Sequence, residues 1–253
     1  SRVTLDHLLA HTSGIGYYLD ESDGADITDH VITVPVHTLD TTAGFLPALD
    51  GHPQVSEPGA QFAYNNAGYV VVALIAERAS GVGFHGLVRR EVFDRACMAD
   101  TAYLRMDQLP GDTAQGYLFV DSDAPEALRT NALHLPVRGS GDGGAFSTAA
   151  DLALFWAALM AGRIVSAESL AAMTRPRGDV LDEGKRYGMG FWISGVSADA
   201  TGTQGEPAVV IEGYDAGVSM RSTCNPATGD VFTVLSNWSD GAWAVGEVVD
   251  GWV

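Results

Sequence analysis

Apolar residues recur at helical spacing through the first two thirds of the chain. Three leucines within residues 5–9 fall on one side of a short helix, and Thr4 precedes them as an N-cap. Residues 66–80 are apolar on nearly every side, which predicts a buried helix that begins near Asn66 and ends at Gly81. The pattern therefore predicts two early helices, one half-exposed and one internal.

Further helices are expected at about residues 83–95, at 152–161 and shortly after Ser166. Thr148 and Asp151 fit a capping box ahead of the second of these, and Gly162 fits its C-cap. Residues 17–58 and 100–145 show no sustained period, so we expect long loops there.

Beyond Lys185 the pattern changes to short apolar runs that are typical of strands. We expect strands at residues 187–194, 208–211, 218–223 and 231–237, a hairpin turn at 225–229, and a final helix at about 241–252. Helices first and antiparallel strands later predict an α+β fold. We expect one domain over 1–253, with helices and loops in 1–180 and the strands with a C-terminal helix in 181–253.

Composition narrows the function classes. A formal charge of −18 in 253 residues repels phosphate backbones, so nucleic acid is not an expected partner. No run of eighteen apolar residues occurs, so we expect no membrane span. Lys185 is the single lysine of the chain. Cys97 and Cys224 lie far apart and are expected to be buried free thiols. No compartment is assigned.

No cofactor or metal is expected. His7 and His11 lie one helical turn apart, but the glutamate of the zinc motif H-E-x-x-H and a third ligand are absent, so we interpret both as surface or capping histidines. The Gly139–Gly143 segment, Gly-Ser-Gly-Asp-Gly, differs from the G-x-S-x-G nucleophile turn, and we interpret it as a flexible loop at the rim of a cleft.

Five stretches, in order along the chain, resemble one enzyme family. They are residues 4–14 (TLDHLLAHTSG), 57–69 (EPGAQFAYNNAGY), 143–152 (GGAFSTAADL), 187–192 (YGMGFW) and 225–237. Together they resemble the serine β-lactamase-like and penicillin-binding-protein-like hydrolases, which include class C β-lactamases, D-Ala-D-Ala peptidases and related esterases. The resemblance implies the β-lactamase/transpeptidase-like fold, an antiparallel sheet flanked by helices.

The resemblance also implies a site. The family's Tyr-x-Asn loop matches Tyr64-Asn65-Asn66, so Tyr64 would relay protons between nucleophile and leaving group, and Asn66 would hold the substrate amide or a lysine. A half-buried tyrosine followed by a helix-capping asparagine would give the same three letters without any catalytic role.

A third motif of the family carries Lys or His, a variable residue and Gly on a strand. Here Ile211, Glu212 and Gly213 occupy those positions, and the N–H of Tyr214 would be an oxyanion donor. Because an apolar Ile cannot attract a carboxylate, esters or neutral amides are favoured over penicillins. An ordinary inward-facing strand is an equal alternative.

The family's first motif, S-x-x-K, does not occur, because the residue three before Lys185 is Asp182. We expect an N-terminal portion, preceding Ser1 in the gene product, to carry the nucleophile helix and the early strands. Residues 1–253 alone are expected to be unstable without that segment.

Two functions remain open from the sequence. One is a serine hydrolase that forms an acyl-enzyme with a small-molecule ester or amide, with transfer to an acceptor other than water as a variant. The other is a non-catalytic member of the same fold that binds or regulates, which the missing Ser-x-x-Lys and Ile211 both favour.

Overall fold

The computed structural model describes residues 2–19, 27–119, 127–177, 185–194 and 207–250. Its helices are α1 (Leu5–Leu9), α2 (Leu46–Leu49), α3 (Asn66–Ser80), α4 (Phe84–Ala96), α5 (Ala149–Met160), α6 (Ala167–Met173) and α7 (Trp243–Asp250). Short 3₁₀ turns occupy Ile27–Asp29, Val36–Thr38, Thr42–Phe45 and Asn131–Leu133.

Side-chain caps fix the ends of the early helices as predicted. The Thr4 hydroxyl accepts from the N–H of His7, and the His7 ring accepts from the N–H of Thr4, so α1 begins with a reciprocal capping box. Asn65 caps α3 by accepting from the N–H of Gly68, and Gly81 ends that helix with φ +68°.

The structure corrects the predicted start of α5. Thr148 caps the helix, which begins at Ala149, three residues before the predicted start. The predicted capping box is only half formed, because the Asp151 carboxylate instead accepts from the N–H of Asp100 and the hydroxyl of Thr101. A tertiary hydrogen bond thus replaces a local one. Helix α4 runs close to its predicted bounds and contains one wider π-helical turn at Arg89–Phe93.

The strands form a five-stranded antiparallel sheet in the order β3-β4-β5-β6-β7. They are β3 (Arg186–Tyr187), β4 (Trp192–Ser194), β5 (Ala208–Asp215), β6 (Val218–Cys224) and β7 (Val231–Ser236). The predicted α+β class is confirmed. The prediction of a single strand at 187–194 is wrong. Gly190 adopts φ +83°, and the segment forms the tight β3–β4 hairpin instead.

Two other predictions for this half of the chain are refined. Strand β5 extends four residues past its predicted end, to Asp215, because it pairs with β6 along its whole length from Val209 to Asp215. The turn predicted at 225–229 is present, with the N–H of Gly229 donating to the carbonyl of Asn225. The last helix begins at Trp243, and its predicted end at residue 252 lies outside the described residues.

Helices pack on both faces of the sheet. Trp156 of α5 is fully buried and its indole N–H donates to the hydroxyl of Ser222 on β6 at 2.8 Å. The neighbouring Arg221 lies against Gly246 of α7, where an added Cβ would fall 3.1 Å from the Arg221 Cδ. Because adjacent strand residues point to opposite faces, α5 and α7 cover opposite sides of the sheet.

The segment expected to be loop from 100 to 145 contains a two-stranded hairpin of β1 (Tyr117–Phe119) and β2 (Leu128–Thr130). Both strands have only three residues, too few for a periodic signal. After this hairpin, the Asn131 amide donates to the carbonyl of Ala216 at 2.9 Å and ties it to the turn between β5 and β6.

Among the described residues, β7 has no strand partner on its outer edge. Val231 and Leu235 on this strand are 37% and 42% exposed. Both cysteines are free thiols, as predicted; Cys224 is buried, but Cys97 is exposed because it follows the end of α4 at the surface, so the prediction that it is buried is wrong. Within the described ranges, no single helix is long and apolar enough to cross a membrane; α3 and α4 satisfy length and composition only as a pair bent by 79°.

We expect Trp156→Ala to lower the free energy of unfolding by about 3–5 kcal/mol, because it leaves a cavity between α5 and the sheet and removes the indole hydrogen bond to Ser222. Urea unfolding followed by circular dichroism measures this loss. Leu154→Ala is the control on the same helix, since Leu154 is 40% exposed. Equal losses in the two variants would contradict the assigned packing.

Candidate active site

A cleft of about 140 Å³ opens where the start of α3 meets strands β4 and β5. Its lining combines aromatic rings, two carboxylates and an amide. The lining residues are His11, Tyr64, Asn66, Tyr69, Asp142, Tyr187, Gly190, Trp192, Ile211 and Glu212. Three of the five site residues expected from the sequence therefore share one cleft: Tyr64, Asn66 and Glu212.

Tyr64 and Asn66 lie on either side of the residue that caps α3. Tyr64 is 41% exposed, and its ring stacks on Trp192 with a centroid distance of 6.1 Å and an interplanar angle of 11°. The Asn66 amide donates to the hydroxyl of Tyr17 at 2.7 Å. Tyr64, which precedes the capping residue, and Asn66, which follows it, both line the cleft.

His11 is a cleft residue that was set aside in the sequence as a surface or capping histidine. It is 2% exposed, its backbone adopts φ +54°, and its Nδ1 accepts from the N–H of Asn65 at 3.0 Å. Burial lowers the pKa of His11 to about 3, against a weaker opposing effect of the Asn65 hydrogen bond. The imidazole is therefore neutral at ordinary pH.

The ring of His11 is surrounded by aromatic side chains. Centroid distances are 4.3 Å to Tyr64, 4.8 Å to Tyr187, 5.0 Å to Tyr69 and 5.9 Å to Phe62. We call these five residues together with Trp192 the aromatic cluster. The cluster joins the turn after α1, the start of α3 and the β3–β4 hairpin.

The second ring nitrogen of His11, Nε2, has no hydrogen-bond partner among the described residues. Because Nδ1 accepts the Asn65 N–H, the proton of the neutral ring is on Nε2. Nε2 is buried. A buried donor without a partner is costly, so an acceptor that reaches it from the cleft would be stabilised.

Two buried tyrosines of the cluster are unsuited to proton transfer near neutrality. The Tyr69 hydroxyl donates to the carbonyl of Leu9 at 2.8 Å, and burial raises the pKa of Tyr69 to about 12. Burial raises the pKa of Tyr187 too, and the Tyr69 hydroxyl, 3.4 Å from that of Tyr187, adds to the effect. Tyr64 is the exposed tyrosine of the three.

Glu212 forms the charged side of the cleft. Lys185 Nζ lies 3.0 Å and Arg221 Nη1 lies 3.6 Å from its Oε1, and all three side chains are less than a fifth exposed. Arg221 is the direct partner of Glu212 in the β5–β6 register. The pairing of β5 with β6 places Arg221 beside Glu212, and the tertiary fold places Lys185, the single lysine of the chain, beside it as well.

Gly213 and Tyr214, the other two expected site residues, continue strand β5 but do not line the cleft. A Cβ on Gly213 would fall 2.9 Å from Met220, so a close approach to β6 accounts for this glycine. The Tyr214 ring is 45% exposed and lies 6.0 Å from that of Trp243. The oxyanion role of the Tyr214 N–H stays a prediction.

Asp142 enters the cleft from the glycine-rich loop whose position at a rim was predicted. Its carboxylate accepts a short hydrogen bond from the hydroxyl of Tyr18. Burial raises the pKa of Asp142 to about 6, against the opposing effect of the Tyr18 hydrogen bond. In the described parts of the chain, no group of three or more His, Cys, Asp or Glu side chains is placed to hold a metal ion.

Comparison with known proteins agrees with this architecture. The family model described as Beta-lactamase matches residues 1–247. The chain belongs to the beta-lactamase family. Within it, a penicillin-binding protein of Bacillus subtilis (strain 168) is 30% identical over 203 residues, which are 76% of this chain and 43% of that protein.

Solved structures give the same picture. The penicillin-binding protein of Bacillus halodurans superposes with a TM-score of 0.89 at 35% identity, covering 99% of this chain and 74% of that one. The D-amino acid amidase of Ochrobactrum anthropi SV3, complexed with D-phenylalanine, shares the fold at a TM-score of 0.76 and 20% identity, covering 98% and 70%. The chain spans less than half the length of the Bacillus subtilis relative.

The depressed pKa of His11 predicts a loss of stability in mild acid. The unfolded ring takes up a proton below about pH 6.5, whereas the folded ring takes one up only near pH 3. Unfolding should therefore become easier as pH falls, by about 1.4 kcal/mol between pH 7.5 and 5.5 from this group.

The measurement is urea unfolding at the two pH values. His11→Asn, which tolerates the positive φ, should lack this component, and the exposed His37→Asn should keep it. An identical pH dependence in the wild type and His11→Asn would refute the assignment of a neutral ring.

Proposed function

We propose that this chain forms most of a serine hydrolase that cleaves a small-molecule amide or ester through an acyl-enzyme. A serine hydroxyl attacks the carbonyl, Tyr64 as the phenolate accepts the serine proton and gives it to the leaving group, and water then releases the acyl group. Asn66 holds the amide of the substrate. The observation that carries the proposal is the joint placement of Tyr64, Asn66 and Glu212 in one cleft.

The position of Tyr64 suits a proton relay. Its ring stacks on Trp192 and contacts the tilted ring of His11, while 41% of the residue stays exposed. Rigid rings on both sides restrict the side chain, so its hydroxyl has a fixed position relative to a bound carbonyl. Such preorganisation reduces the cost of reaching the transition state.

The nucleophile belongs, in this proposal, to a Ser-x-x-Lys segment outside residues 1–253. The single lysine of the chain is paired with Glu212 and has no serine three residues before it. The outer edge of β7 has no partner among the described strands and exposes Val231 and Leu235, a surface that further strands of the same sheet would cover. The greater length of the Bacillus subtilis relative supports the same view.

Amides are the favoured substrate class. Two structural neighbours are named as a D-stereospecific amidohydrolase and a D-amino acid amidase, although at 21% and 20% identity. Ile211 occupies the position at which the family resemblance places Lys or His. The cleft therefore lacks the positive side chain that would attract the carboxylate of a penicillin at that position.

We expect Tyr64→Phe to lower kcat/KM of the complete gene product by about 10²–10⁴, the usual contribution of a positioned proton-transfer group. Initial rates on amino acid p-nitroanilides and p-nitrophenyl esters measure this. Tyr117→Phe is the control, because Tyr117 lies on β1 and does not line the cleft. Similar rates for Tyr64→Phe and wild type would exclude the relay.

Covalent labelling tests the nucleophile separately. A fluorophosphonate should label one serine of the complete gene product, located by peptide mass spectrometry, at a Ser-x-x-Lys sequence outside residues 1–253. Absence of labelling, together with no turnover of amides or esters, would favour the non-catalytic binding protein instead.

A further inference from the structure

The walls of the cleft are mostly aromatic. Four rings line it besides that of His11, and among the described residues no Lys or Arg lines it. Tyr64 and Trp192 lie nearly parallel, and Tyr187 meets Trp192 edge-on at 4.8 Å. The negative faces of such rings attract cations and do nothing to attract anions.

The two carboxylates of the cleft differ in their partners. Glu212 is paired with Lys185 and with Arg221, so its charge is already balanced. Asp142 accepts from the neutral hydroxyl of Tyr18 and forms no ion pair with a basic side chain of the described residues. Asp142 therefore supplies the unbalanced negative charge at the aromatic walls.

The loop around Asp142 is built to bring that carboxylate close to α3. A Cβ on Gly141 would fall 2.2 Å from the carbonyl oxygen of Tyr69, and one on Gly144 would fall 2.6 Å from the Cα of Gly139. Only glycine allows these approaches. Their effect is to hold Asp142 against the first turns of α3, beside the aromatic cluster.

The buried Nε2–H of His11 adds a second feature that points to a ligand. It lines the same cleft, belongs to a residue that is 2% exposed, and has no partner among the described residues. A ligand oxygen that accepts from this N–H would satisfy the imidazole, and a ligand cation would pair with Asp142. An amino acid amide or ester carries both groups, as its carbonyl oxygen and its α-ammonium.

We propose that the cleft is a binding site for a protonated amine, with Asp142 as its counter-ion and the rings of Tyr64, Tyr187 and Trp192 as its walls. The substrate class is then an amide or ester that carries a free ammonium group near the scissile carbonyl. The substrate class rests on the proposed hydrolase function, whereas amine binding at this site does not require catalysis.

Binding without turnover tests the site. Benzylammonium and the neutral, nearly isosteric benzyl alcohol are titrated into the complete gene product at pH 8, with tryptophan fluorescence or calorimetry as the readout. We expect the amine to bind about tenfold or more tightly than the alcohol, the factor that corresponds to one partly buried ion pair.

Asp142→Asn should reduce this preference for the amine to about threefold or less, because the amide still accepts from Tyr18 but carries no charge. The exposed Asp112→Asn removes the same formal charge away from the cleft and should keep the wild-type preference. Equal affinity of wild type for both probes, or an unchanged preference in Asp142→Asn, would overturn the proposal. A protein that binds the amine but hydrolyses nothing would overturn only the hydrolase function.

A pH titration of the wild type gives a second measurement that needs no variant. Burial raises the pKa of Asp142 to about 6, while benzylammonium stays protonated between pH 5 and 8. Its affinity should therefore fall about tenfold from pH 8 to pH 5 as Asp142 is protonated, and that of benzyl alcohol should not. A flat profile for the amine would count against the site.

Several other titratable groups lie near Asp142 or in the cleft. Burial raises the pKa of Tyr18 and Tyr103, which face Asp142, and lowers the pKa of His85, which bonds the carbonyl of Gly139 in the same loop. Inside the cleft, the pKa of His11 lies at about 3 and that of Tyr69 at about 12, while burial raises that of Tyr187. Glu212 remains in its ion pairs with Lys185 and Arg221.

Discussion

The neutral imidazole of His11 is the point at which three distant parts of the chain meet. It follows α1, accepts from the residue that caps α3, and lies 4.8 Å from Tyr187 in the β3–β4 hairpin. Aromatic surroundings exclude water, so a charged ring would be unstable there and the neutral ring persists. Tyr64 contacts this ring at a centroid distance of 4.3 Å, and the geometry of the cleft therefore depends on a residue that transfers no proton itself.

Charge in and around the cleft is unevenly distributed. The two cations that strand pairing and the fold bring to β5, Lys185 and Arg221, are both engaged by Glu212. Asp142, on the opposite loop, is left without a cation of its own among the described residues. Membership of the beta-lactamase family determines the scaffold, whereas these side chains determine which ligands the scaffold can bind. A cleft whose described lining is largely aromatic and contains neither Lys nor Arg differs in chemistry from one that binds anionic substrates.

Sequence alone determined the elements whose signals are local. The caps at Thr4, Asn65 and Gly81 act within one helical turn, and the helices they bound were predicted within a few residues. The α+β class followed from helical spacing in the first part and short apolar runs in the last. Tyr64 and Asn66 were found because a motif of three consecutive residues carries them. The sequence did not predict the turn within residues 187–194, because a glycine such as Gly190 is compatible with both a strand and a turn.

Only the tertiary structure decided the rest of the site. His11 and Asn65 are 54 residues apart, and Tyr18 and Asp142 are 124 apart, so no local pattern could link them. The burial that makes His11 neutral and raises the pKa of Asp142 arises when separate segments exclude water together. The pairing of Glu212 with Arg221 depends on the register of β5 and β6. Local spacing specifies where helices and strands form, but desolvation and charge pairing are properties of the packed chain, and these give the cleft its chemistry.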